Sequence, residues 1–168
     1  MALLRLHAAY LVPNDKLMLE LGKPAPDLVL ADQHGKPFTL SSAWANSNAV
    51  IFFYPKAGTP ICTKEACAFR DAFADLQARN AVIIGISRDG SEAQRAFATR
   101  WALPFTLLAD VDVEAHNAYD VKALFGLLPA RITYVVAKGG VIRNAYSALL
   151  GSAAHVQDAL RALDQGKG

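Results

Sequence analysis

A chain of 168 residues with a formal net charge of +2 and 53% hydrophobic residues has the size and composition of one packed domain. Its Lys and Arg are interspersed and form no basic stripe with interleaved aromatics, so no nucleic-acid partner is expected. Apolar runs such as Ala81 to Ile86 are too short to span a bilayer, and two cysteines do not make a disulfide-stapled secreted scaffold.

Residues 1–20 read as an N-terminal extension that the domain can dispense with. Met1 to Val12 is apolar but broken by Arg5 and His7, and it has neither a clean apolar run nor a small-residue cleavage site. Met18 is an alternative start, and a cytoplasmic location is the default expectation. Asp27 to Leu30 and Pro37 to Leu40 form a hairpin around His34-Gly35. Ala49 to Tyr54 is a continuous apolar strand of the kind buried at a sheet centre. A helix follows from about Pro60 to Arg79, then a buried strand, Ala81 to Ser87. Ser91 caps a helix that runs to Trp101. Phe105 to Leu108 is a short strand and Val113 to Tyr119 a short helix. Arg131 to Val136 and Val141 to Tyr146 make a hairpin about Lys138-Gly139-Gly140, and Ser152 to Leu163 is the closing helix. The domain thus occupies residues 21–164, and 165–168 is a fraying tail. The order predicts an α/β protein: a central mixed sheet flanked by helices, in a thioredoxin-like fold with an N-terminal β-hairpin addition.

The residues that bear chemistry lie where the central strand gives way to a helix, the usual place for ligand chemistry in an open α/β sheet. Thr59 is a natural N-cap and Pro60 suits the first helical position, which leaves Cys62 third. A thiol there faces unpaired backbone N–H groups and the positive end of the helix, and so ionises more readily. Positions 62, 66, 69, 73 and 76 (Cys, Ala, Phe, Phe, Leu) share one apolar stripe, whereas Cys67 lies off it and is expected to be more exposed. In an intact helix, residues five apart have Cα atoms roughly 8–9 Å apart. A disulfide needs about 4.4–6.8 Å, so the pair could bond only if the first turns unwound. Two readings stand: small apolar residues that happen to be cysteines, or a reactive pair. The Thr59-Pro60 helix start favours the second. No histidine lies near enough in sequence to suggest a zinc set, and no Cys-x-x-Cys dithiol is present. The four histidines and the two tryptophans read as surface and packing residues.

Pro55-x-x-x-Thr59-x-x-Cys62, with Cys67 five residues on, resembles the active-site signature of the peroxiredoxins, in the bacterioferritin comigratory protein (PrxQ) subfamily. The likeness runs from about Leu21 to Leu163 and includes Gly22-Lys23-Pro24-Ala25-Pro26-Asp27, Leu103-Pro104-Phe105 and Pro129-Ala130-Arg131. It implies a thiol peroxidase acting on hydrogen peroxide and small organic hydroperoxides. Cys62 would be the peroxidatic cysteine and Cys67 the resolving one. Thr59 and Arg131 would complete the site, with Pro55 shielding it and Glu65 orienting Arg131. Thioredoxin or a similar dithiol would be the reductant. The resemblance implies no metal or cofactor, and a monomer, with a weak dimer as the alternative. Ile61 departs from the glycine common before the reactive cysteine, and residues 1–17 have no counterpart. A non-catalytic redox sensor using the same disulfide is the competing function.

Overall fold

The computed structural model describes residues 18–122 and 130–166, so the expectations for residues 1–17, for Pro129 and for the last two residues lie outside them. The apolar run at 49–53 lies inside the sheet, next to its middle strand. It belongs to β3 (Asn48–Phe53), which pairs parallel with β4 (Ala81–Ser87) and antiparallel with β6 (Ile132–Ala137). With both edges paired and both faces covered, such a strand has no use for a polar residue. Beyond β4 lie β5 (Thr106–Ala109), in parallel, and the hairpin of β1 (Val29–Asp32) and β2 (Pro37–Thr39). Beyond β6 lies β7 (Val141–Ser147), and the described sheet has the order β2-β1-β5-β4-β3-β6-β7. This is the expected mixed sheet.

Strand alternation sorts β3 into two cores. Ala49, Ile51 and Phe53 face a layer built with Trp44 of α1 (Ser41–Trp44) and Ala115 of α5 (Glu114–Ala118). Val50, Phe52 and Tyr54 face α2 (Pro60–Asp71), α3 (Phe73–Gln77), α4 (Ser91–Arg100) and α6 (Ser152–Gln165). Phe52 stacks on Phe69 of α2 at 4.5 Å, and burying each such side chain contributes about 1.5–3 kcal/mol. Gly85 of β4 fits between these residues because a Cβ there would meet Leu107 at 2.7 Å and Phe52 at 2.8 Å. Met18 and Leu19 already pack on the first core, just before the expected start of the domain.

Three local expectations change. The first strand begins two residues later than expected, because Asp27 accepts the Ser41 N–H and Asp32 accepts those of His34 and Lys36 at the turn. The long helix after Pro60 is two helices, parted at Ala72 (φ −92°, ψ 5°). Ser91 does not cap α4; Gly90 does, its carbonyl accepting the Gln94 N–H.

Candidate active site

After β3 the chain makes one more sheet bond, from Tyr54 N–H to the Ile86 carbonyl, and then turns through Pro55 to Gly58. Gly58 sits at φ +81°, a conformation that favours glycine. Thr59 is extended and Pro60 opens α2, as the sequence predicts. The first intrahelical bond runs from Thr63 N–H to the Thr59 carbonyl at 2.9 Å, so the N–H groups of Ile61 and Cys62 lie in the turn that a helix leaves without internal acceptors. The Thr59 hydroxyl does not cap them: it donates to the Lys56 carbonyl at 3.0 Å, which the Gly58 turn folds back beneath it. The loop is also tied from the other side. Asp89 Oδ2 accepts from the Ala57 N–H at 2.8 Å and from the Ser87 hydroxyl at 2.7 Å. Gln94 donates to that same hydroxyl and accepts from the Tyr54 hydroxyl. Burial pushes the Tyr54 phenol well above its ordinary range, so it remains a neutral donor.

Cys62 heads the inner stripe of α2 and is 1% exposed. Its Sγ accepts a hydrogen bond from Arg131 Nη2 at 3.0 Å, and Arg131 Nη1 donates to Glu65 Oε2 at 2.7 Å. Arg131 stands at the entrance to β6, on the strand face that also carries Thr133 and Val135. Behind Glu65, the His155 Nδ1 of α6 lies 3.6 Å from Oε1 and 2.8 Å from the Thr133 hydroxyl, while His155 Nε2 meets the Ala148 carbonyl at 3.1 Å. Glu65 Oε1 is buried with no hydrogen-bond partner. Burial pushes the Glu65 carboxyl up, and the nearby His155 and Arg131 pull it down without cancelling that effect. The site therefore sets a sulfur, a guanidinium, a carboxylate and an imidazole in one dry row.

The structure brings Cys62, Glu65 and Arg131 into direct contact, although 69 residues separate the first from the last. Thr59 and Pro55 are half-buried in the preceding loop, and the Thr59 hydroxyl bonds back to that loop. Cys67 is half-buried and a free thiol, one and a half turns along the same helix, so both cysteines are reduced with α2 intact. Ile61 is exposed at the mouth of a narrow cleft over Glu65 and Arg131. The histidine reading is corrected: His116 and His155 are buried because their ring nitrogens find partners in other elements. The trace of His155 in the sequence is its place at the head of the stripe Val156, Ala159, Ala162 and Leu163, all buried on α6.

Residues 21–145 match the model of the AhpC/TSA family. Over 143 residues the chain is 41% identical to a chloroplastic peroxiredoxin Q of Sedum lineare, covering 84% of this chain and 76% of that one. It is 38% identical to the Arabidopsis thaliana protein of the same name, over 94% of this chain and 76% of that one. Among solved structures, the peroxidoxin BcpB of Mycobacterium tuberculosis superposes with a TM-score of 0.83 at 34% identity, over 89% of this chain and 99% of its own. Peroxiredoxin Q of Xanthomonas campestris does so at 0.77 and 30% identity, over 88% and 96%. The fold, the strand-to-helix thiol and these likenesses agree: the chain belongs to the AhpC/TSA family and is a peroxiredoxin of the Q type.

Proposed function

We propose that Cys62 is the peroxidatic residue of a thiol-dependent peroxidase reaction and that Cys67 resolves it. The observation that carries the proposal is the bond from Arg131 Nη2 to Cys62 Sγ at 3.0 Å, with Glu65 holding the other arm of the guanidinium. The thiolate is the form that attacks, and it would stand against this fixed cation. The thiolate donates an electron pair to one peroxide oxygen and the O–O bond breaks. The departing oxygen leaves with the bonding pair, takes a proton and becomes water or an alcohol. Charge moves from sulfur to that oxygen, and a planar guanidinium can follow it without reorganising. The product is a sulfenic acid on Cys62.

Cys67 then attacks that sulfur, a water departs, and a disulfide forms. Both cysteines lie within α2, so this step requires the helix start to unwind. An external dithiol of the thioredoxin kind returns both thiols. Thr59 and Pro55 shape the entrance in this scheme, and hydrogen peroxide and small organic hydroperoxides are the substrates. We take the working form to be a monomer in a reducing cytoplasm, to be checked by sedimentation and by cell fractionation. Among the described residues no helix is long and apolar enough to cross a membrane.

The test of the function mixes reduced protein with one equivalent of peroxide under stopped flow and follows it by mass spectrometry. Fast loss of the Cys62 thiol, an internal disulfide, and turnover with a dithiol are the expected result. A slow, single oxidation without turnover would instead identify a redox sensor.

A further inference from the structure

Glu65 Oε1 and His155 Nδ1 face each other at 3.6 Å, each on a residue only 1% exposed. The cleft above them, lined by Ile61, Arg131, Leu149 and Ser152 among others, is too narrow to hold a water molecule. Which atoms carry protons follows from the partners. The Ala148 carbonyl can only accept, so His155 Nε2 is a donor. In the neutral ring, Nδ1 then accepts from the Thr133 hydroxyl and presents no hydrogen to Glu65. An ionised Glu65 would leave Oε1 a buried, unpaired acceptor beside another acceptor, an arrangement that is costly without water. One additional proton, on Nδ1 or on Oε1, removes the conflict.

The charges around the sulfur call for the same proton. With Cys62 as thiolate, Arg131 supplies one positive charge against two negative ones, those of the sulfur and Glu65. The other groups facing the cluster are the neutral Thr133 of β6, Tyr54 just after β3 and the Tyr146 ring of β7, packed edge-on against His155 at 4.9 Å. A proton on the Glu65–His155 pair brings the cluster to neutrality. Oxidation of Cys62 to a neutral sulfenic acid removes the sulfur's charge and leaves the cluster with one positive charge too many.

We propose that Glu65 and His155 hold one proton between them while Cys62 is a thiolate, and release it when Cys62 is oxidised. His155 is thus a positioning residue for charge in this reaction, acting through Glu65 and Arg131. The balance is simple. Thiolate, hydroperoxide and one proton give sulfenic acid and an alcohol or water. The pair releases one proton in the same step, so the reaction draws little from bulk solvent.

The inference rests on the peroxidase reading, and the experiment separates the two. Cys67→Ser protein, which stops at the sulfenic acid, is mixed with peroxide in lightly buffered solution near neutral pH with a pH indicator, and sulfenic acid is quantified in parallel. The expected uptake is about half a proton or less per sulfenic acid, rising to about one proton when Glu65→Gln is added. Absence of sulfenic acid would overturn the peroxidase reading and this inference with it. Sulfenic acid formed with equal uptake in both proteins would overturn this inference alone. Should Glu65→Gln not fold, infrared difference spectra of the Cys67→Ser protein decide. Loss of a protonated carboxyl or imidazolium band on oxidation supports the shared proton, and its absence refutes it.

Discussion

Replacing Arg131 by alanine separates chemistry from stability. The Nη2–Sγ distance of 3.0 Å puts the centres of charge on guanidinium and thiolate roughly 4 Å apart. At an effective dielectric of about 20 their attraction is about 4 kcal/mol. Some of that attraction persists as charge moves to the departing oxygen, and losing one fixed donor of this kind slows a reaction by about 10²–10³-fold. Arg131→Ala is therefore expected to lower the second-order rate with hydrogen peroxide by that factor, measured as thiol loss under stopped flow. The same change strands Glu65 with its pair broken, which costs about 3–5 kcal/mol of stability in urea unfolding. Adding Glu65→Gln removes the stranded charge, so the double variant regains most of the stability and none of the rate. A double variant reacting within about threefold of wild type would refute the electrostatic role of Arg131.

Oxidation of the wild-type protein by one equivalent of peroxide should abolish the hydrogen-exchange protection of residues 63–67, while β3 and β4 keep theirs, because five-apart cysteines cannot meet on an intact helix. Unchanged protection there would exclude the Cys62–Cys67 bond. Cys67→Ser should give one fast turnover and then accumulate sulfinic acid on Cys62, seen by mass spectrometry as two added oxygens; sustained cycling with thioredoxin would remove Cys67 from the mechanism. Asp110 supplies a pH signature away from the site. Burial alone raises its carboxyl, but hydrogen bonds from the His116 ring and from the N–H groups of His116 and Ala115 outweigh it and hold it below the ordinary carboxylate range. With the folded value depressed, its contribution is present above about pH 4 and lost as pH falls through the folded value. Asp110→Asn should therefore flatten the acid limb of the stability curve, and an unchanged limb would count against that network.

The site was legible in the sequence where it depends on neighbours along the chain. Thr59, Pro60 and Cys62 announce a helix start beside a buried strand, since caps and first turns are local chemistry. The separation of Cys62 from Cys67 follows from helix geometry alone, which any uninterrupted helix obeys. What depends on distant partners was not legible. Glu65 is buried because Arg131 and His155 arrive from β6 and α6. His155 passed for a surface residue because a histidine's burial is decided by partners for its two ring nitrogens, and here those partners, Thr133 and Ala148, come from two other segments of the chain. Chemistry local to the chain settles which sulfur heads the helix and what reaching the second requires. The packing of α6 and β6 onto that helix decided the charge around the sulfur, because Coulombic terms depend on distances that no local pattern encodes.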